Sequence, residues 1–249
     1  MHLREVVHEL SNILFPVLCL GCKKHLAERC DAAHFLCAPC STSVTIETAL
    51  FCTMCKRRLP RYTRPCHRAM PPLLASATSY EENLVRELVH LLKYEGIKTA
   101  AEPLGSILAS YLRRMAENIN LDLCRYIIIP VPLHPKREKR RGFNQSILIA
   151  ESCVRLLKSS GISFQEPGIE TATLFKKRYT PPQVTLSDFT ARAKNVKGSF
   201  VVRAPEKVHG KNILLLDDVF TSGATMGEAA RALYSACAKK VIGLTVART

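Results

Sequence analysis

The chain has 249 residues, with 36 Lys and Arg against 21 Asp and Glu for a formal charge of +15, and 47% hydrophobic content. That length suits one large domain or a small one joined to a medium one, and the composition excludes a mostly disordered chain. No window approaches the roughly eighteen unbroken apolar residues of a membrane span, and the nearest, Ile13 to Leu20, is interrupted by Pro16. No small-residue cleavage site follows that run, and bulky Leu18 precedes Cys19 where a lipoprotein signal needs a small residue. The reading is a cytoplasmic protein without membrane insertion.

Leu3, Val6, Val7, Leu10 and Leu14 recur at helical spacing and predict a short amphipathic helix at the start. Eight of the eleven cysteines (Cys19, Cys22, Cys30, Cys37, Cys40, Cys52, Cys55 and Cys66) then fall in the first 66 residues. From Cys19 to about Pro72 the sequence is poor in aliphatic runs and cannot build a sizeable apolar core by itself. A boundary is therefore expected near Pro71-Pro72, with a helix and zinc-ribbon-like module over 1–72 and a larger domain over 73–249.

Within the module, Cys19/Cys22, Cys37/Cys40 and Cys52/Cys55 are Cys-x-x-Cys pairs, each able to supply half of a tetrahedral zinc site. The spacing from Cys22 to Cys37 is that of two knuckles sharing one metal, so Cys19, Cys22, Cys37 and Cys40 are expected to hold a first structural zinc. Disulfides suit a cytosolic chain poorly, and no thioredoxin-like strand and helix surround the pairs. A second zinc would use Cys52 and Cys55 with Cys66 and His67, or with Cys66 and Cys30, because Thr63 stands where a first cysteine of the fourth knuckle would be. Closed sites of this kind substitute for the missing core, metal binding being coupled to folding.

Beyond Pro72 the pattern changes. Leu73–Tyr80 reads as a strand, and Glu82–Leu92 and Ala101–Arg113 as amphipathic helices. Tyr126–Leu133 is an apolar, β-branched run ending at prolines, Ser146–Leu157 a helix, and Ile213–Val219 a second buried strand. Gly223–Ala238 is a helix and Lys240–Ala247 a last strand. Strands that alternate with helices and lack polar alternation predict an α/β fold, with a mostly parallel sheet covered by helices on both faces. Cys124, Cys153 and Cys237 read as small core residues.

The run from Ile213 to Thr225 carries the chemistry. Asp217 and Asp218 end an apolar strand, where a sheet presents ligands, and could accept hydrogen bonds from two vicinal sugar hydroxyls or hold a divalent cation. Thr221, Ser222, Gly223, Ala224 and Thr225 form a turn of small residues opening a helix, whose N–H groups and hydroxyls suit a phosphate. No Lys of a nucleotide-hydrolase phosphate loop is present. The thirteen-residue run resembles the phosphoribosyl pyrophosphate (PRPP) signature of type I phosphoribosyltransferases.

Two further segments narrow the resemblance. Residues 130–146 contain the string Arg141-Gly142-Phe143-Asn144-Gln145, and residues 174–200 contain Lys176, Arg178, Thr180, Gln183, Leu186, Arg192, Asn195 and Phe200. With the cysteine pairs and Leu92-Lys93-Tyr94, these residues resemble the ComF family, a zinc-ribbon head joined to a type I phosphoribosyltransferase domain. Lys176 stands where that family usually has Arg. The resemblance implies a pyrophosphate loop at Leu133 to Arg137, with His134, Lys136, Arg137, Arg140 and Arg141 supplying ligand groups or positive charge. It implies a lid over 176–195, contacted through Arg178, Thr180 and Gln183. It also implies Mg²⁺ taken up with PRPP, and transfer of phosphoribosyl to an acceptor, a nucleobase in related enzymes, with loss of pyrophosphate. The alternative that the family suggests is a competence factor acting on single-stranded DNA with the DNA-uptake machinery. The +15 charge agrees with that, whereas the absence of Trp and 6% aromatic content give few stacking platforms.

Overall fold

A computed structural model describes residues 18–26, 35–59, 65–179 and 196–249. The expected helix over 3–14, Cys30, Thr63 and the lid positions Thr180, Gln183, Leu186, Arg192 and Asn195 lie outside these residues.

In chain order the elements are α1 (Ala38–Ser43), β1 (Leu50–Cys52), β2 (Arg58–Leu59), β3 (Leu73–Ser79), α2 (Asn83–His90) and a π-helical turn (Leu91–Glu95). There follow α3 (Ala101–Ile119), β4 (Tyr126–Pro130), α4 (Pro135–Arg141), α5 (Gln145–Ser159), β5 (Leu174–Lys176) and β6 (Phe200–Val202). β7 (Asn212–Phe220), α6 (Ala224–Ser235) and β8 (Lys240–Arg248) complete the chain. The main sheet runs β2-β1-β3-β8-β7-β4. β3, β8, β7 and β4 are mutually parallel, as expected from the unbroken apolar runs of β4 and β7. β5 and β6 form a separate antiparallel pair.

Alternation along the strands buries both faces of the sheet. Leu214, Leu216, Ile242 and Leu244 pack with Leu104, Leu108 and Leu112 of α3 and with Ile149 and Leu157 of α5. Ile213, Leu215, Val241 and Ile127 face the other way, onto Met226, Ala229, Ala230 and Leu233 of α6. A strand buried on both faces has no polar alternation to display, which is why these runs read so plainly.

Three elements differ from expectation. α3 continues past Arg113 to Ile119 and stops at Asn120, whose left-handed φ of 52° caps it. The basic stretch after Pro135 is a short helix, with Pro135 at its first position and Gly142, φ +84°, at its end. The cysteine segment also joins the larger sheet: β1 pairs antiparallel with β3 through Leu50↔Ala75, Phe51↔Leu74 and Cys52↔Leu73. Leu50 and Phe51 are thereby buried in the shared core, which supplies what the segment's own composition lacks.

Candidate functional site

The carboxyl ends of β4 and β7 lie side by side, and the chemistry-bearing residues gather there. A cavity of about 280 Å³ is lined by residues that include Lys93, Arg137, Arg141, Lys176, Asp217 and Asp218, together with Thr221, Gly223 and Thr225 of the loop before α6. This is the crevice in which open α/β sheets bind ligands.

The two acids at the end of β7 have different surroundings. Asp217 is half-buried, and its Oδ1 accepts from Ser146 Oγ at 3.3 Å and from the Asp218 backbone N–H at 2.9 Å. Burial and the neighbouring Asp218 push the Asp217 carboxyl up to about 7. Asp218 is 3% exposed. Its Oδ1 accepts from the Val219 backbone N–H at 2.6 Å and faces Lys93 Nζ at 2.7 Å. Its Oδ2 is buried without a hydrogen-bond partner among the described residues. A buried carboxylate oxygen without a partner is costly unless a ligand group or cation meets it, so the pair fits ribose hydroxyls or a magnesium ion brought with a diphosphate.

Beyond the acids, Phe220 turns back beneath the loop before α6. Gly223 has φ +74°, and a Cβ there would lie 2.6 Å from Phe220 Cζ, so the position takes glycine for both reasons. The turn opens α6 with Ser222 Oγ accepting from the Ala224 N–H at 3.4 Å. Thr221 to Thr225 are all partly exposed, their N–H groups at the positive end of a helix.

The opposite wall is the segment after β4. The Val131 N–H donates to Leu216 O at 2.8 Å, and Val131 O accepts from Asn144 Nδ2 at 3.1 Å. Asn144 is buried, and its Oδ1 also accepts from the Ser146 N–H at 2.9 Å, capping α5. Gln145, likewise buried, accepts from Arg141 through its Oε1. The Arg141 to Gln145 string is therefore a clamp. Asn144 ties the loop to α5, Phe143 is buried beside Lys98, and Gln145 aims Arg141 at the cavity.

Of the basic residues on α4, Arg137 and Arg141 stand one turn apart on the cavity face, while Lys136 and Arg140 are exposed. Burial and the nearby Arg137 hold the Arg141 guanidinium below its ordinary range. Leu133 lines the cavity. His134 instead caps α4, its Nδ1 accepting from the Lys136 N–H at 3.2 Å, with its ring edge-on to Tyr179.

Arg178 is exposed and stands apart from the cavity lining. The strand's inward position is Lys176, buried, with its ammonium pushed down to about 8 by burial despite the pull of Asp217. Lys93, Tyr94 and Lys176 entered the sequence reading through the family pattern alone. Only the three-dimensional arrangement gives them a place at the acids.

The cysteines form two groups, each with its ligand atoms within 4.8 Å of one another: Cys19, Cys22, Cys37 and Cys40, and Cys52, Cys55, Cys66 and His67. Thiol separations of 3.6 Å (Cys19–Cys37), 3.7 Å (Cys22–Cys37) and 3.4 Å (Cys55–Cys66) approach the edge of about 3.8 Å that a tetrahedron with metal–sulfur bonds near 2.3 Å would have. Burial opposes ionisation of Cys19, yet the N–H groups of Cys37, Cys22 and Gly21 bring it down to about 6. Its neighbour Cys37, with burial, raises Cys40 to about 12. Cys37 and Cys40 resist ionising beside Cys19, which calls for a cation among them, and both donor sets could hold zinc.

A larger groove of about 1250 Å³ lies between the second cysteine group and α6, bordered by Met54, His67, Met70 and Arg231. It meets the cavity at Phe220 and Gly223. Size does not decide the matter here. The carboxylate pair and the paired arginines line the smaller space.

Among the described residues, no helix is long and apolar enough to cross a membrane. Residues 144–248 match the model of the phosphoribosyl transferase domain, a span that takes in Asn144 and Gln145 of the clamp, the acid pair and the loop before α6. "DNA utilization protein YhgH" of Salmonella typhimurium is 31% identical over 224 residues, covering 88% of this chain and 91% of that protein. "Competence protein ComFC" of Bacillus subtilis is 32% identical over 108 residues, 43% of this chain and 38% of that protein. "Competence protein F" of Haemophilus influenzae is 24% identical over 228 residues, covering 88% and 91%. With the parallel sheet, the acid-ended strand and the two cysteine groups on one chain, the protein belongs to the ComF-like family, in which a cysteine-rich head precedes a phosphoribosyltransferase domain.

Proposed function

We propose that the cavity binds PRPP and that the protein transfers the phosphoribosyl group to a nucleophilic acceptor, releasing pyrophosphate. The observation that carries this reading is the convergence of three ligand-specific walls on one small space. The acids meet the ribose hydroxyls, Thr221 to Thr225 take the 5′-phosphate, and Arg137 and Arg141 take the diphosphate. The bond from the anomeric carbon to the diphosphate oxygen breaks, its electron pair leaves with the diphosphate, and the acceptor's nucleophile takes its place. Positive charge that develops on the ribose ring is stabilised by the nearby carboxylates, and negative charge on the leaving group by the arginines and Lys176. Magnesium, bound with the diphosphate, would add further neutralisation there. Arg178, Thr180 and Gln183 are assigned to a lid that shields the reacting centre.

A second reading, single-stranded DNA binding, is supported by the surface beside the cavity. Lys136, Lys139 and Arg140 are exposed on α4, and Tyr94 and Tyr179 are the exposed large aromatic side chains among the described residues. Bases stack on such rings while cations follow the backbone. The two readings separate by experiment. Pyrophosphate release from PRPP that is lost in both Asp217→Asn and Asp218→Asn indicates transfer at the cavity. Affinity for a single strand that falls steeply with salt, and is unchanged in Asp218→Asn, indicates a separate DNA surface.

A further inference from the structure

Lys93 is the one cation in direct contact with the acid pair among the described residues, and it arrives there by an irregular route. The helix that carries it is regular to His90 and then widens into a π turn over Leu91–Glu95, a device common at functional sites. The turn brings Lys93 Nζ to 2.7 Å from Asp218 Oδ1, with both side chains largely withdrawn from water at 21% and 4% exposure. Asp218 Oδ2 is left without a partner on the same carboxylate. Lys176, buried on β5, lines the same cavity and acts electrostatically on Asp217.

The charges of this arrangement bear on what can enter. Two carboxylates are balanced by Lys93 and Lys176, with Arg137 and Arg141 adding two further positive charges to the lining. A free divalent cation approaching Asp218 would have to displace the ammonium and sit beside the other cations. A diphosphate ester reverses that balance, because its oxygens offer the ammonium a new partner and bring negative charge to the site. We infer that Lys93 guards the acid pair: it closes Asp218 to a free divalent ion and yields only when metal and diphosphate enter together, passing from the carboxylate to the diphosphate. The inference deepens the PRPP reading and rests on it for the second half of that exchange.

Manganese, a paramagnetic stand-in for magnesium, tests it through the free-ion signal in electron paramagnetic resonance, on zinc-loaded full-length protein without PRPP. Lys93→Met keeps the length of the stem and removes the charge. It is expected to bind one additional manganese ion at least tenfold more tightly than wild type, and the double variant Lys93→Met/Asp218→Asn to lose that gain. Lys93→Arg, which keeps the charge, is expected to bind manganese as weakly as wild type. PRPP with magnesium should bind Lys93→Met at least tenfold more weakly. Equal manganese binding by wild type and Lys93→Met overturns the guard, as does a gain that survives in the double variant. Wild type that takes up no PRPP, beside a Lys93→Met that gains manganese, overturns the phosphoribosyl reading and the handover to diphosphate, and leaves the closure of Asp218 to free metal standing. Should Lys93→Met fold poorly, judged by zinc content and circular dichroism, Lys93→Gln replaces it with the same expected outcomes.

Discussion

Asn144 offers the sharpest test of how the site wall is built. Its Nδ2 donates to Val131 O at 3.1 Å and its Oδ1 accepts from the Ser146 N–H at 2.9 Å, in a setting where the side chain is 4% exposed. Asn144→Ala removes both bonds. Loss of a helix cap costs about 1 kcal/mol, and leaving the buried Val131 carbonyl without its donor costs about 1–3 kcal/mol. The expected destabilisation is therefore about 2–4 kcal/mol, read as a lowered midpoint with unchanged slope in urea unfolding. Asn144→Asp keeps the cap oxygen and loses the donor, so it should fall between wild type and Asn144→Ala. Both variants should also bind pyrophosphate more weakly, because the loop from Val131 to His134 loses its tie to α5. Stability of Asn144→Ala within about 0.5 kcal/mol of wild type would refute the clamp.

Two other outcomes follow from the geometry. Burial pushes the Lys176 ammonium down to about 8, so its charge is present below that pH and lost above it. Pyrophosphate affinity, measured by calorimetry from pH 7 to 9, should fall as pH rises through about 8, and Lys176→Arg should flatten the fall because guanidinium stays charged. The cysteine groups predict two zinc ions per chain by atomic absorption, with Cys19→Ser or Cys52→Ser each losing one and lowering the folded yield. A soluble variant that keeps both ions would contradict the assigned ligands.

Much of this was legible in the sequence, for physical reasons that can be named. β4 and β7 are buried on both faces, so their aliphatic runs are unbroken and announce a parallel sheet. Asp217 to Thr225 lie on one continuous strand, turn and helix, so local order carries their arrangement. The rest depends on pairings between distant segments. Phe51 reads as part of a cysteine-rich module until β1 is seen hydrogen-bonded to β3. Lys93 and Asp218 belong to different elements, and no periodicity in either reports their contact. The helix at Pro135–Arg141 was hidden by its composition. Six of its seven residues are charged, and it is fixed by ends, Pro135 and Gly142, that serve equally well in a loop. Arg178 was the prominent basic residue of its motif, yet it is Lys176, the buried position two residues earlier on the strand, that lines the cavity.

The central claim is that the acid pair and the phosphate loop form a working PRPP site. Calorimetric titration of PRPP with and without magnesium, on wild type beside Asp218→Asn, tests it most directly. The account predicts saturable, magnesium-dependent binding by wild type that is lost in the variant, while both proteins remain folded by circular dichroism and keep the same zinc content. Absence of binding by folded, zinc-loaded wild type, or equal binding by both proteins, would contradict it.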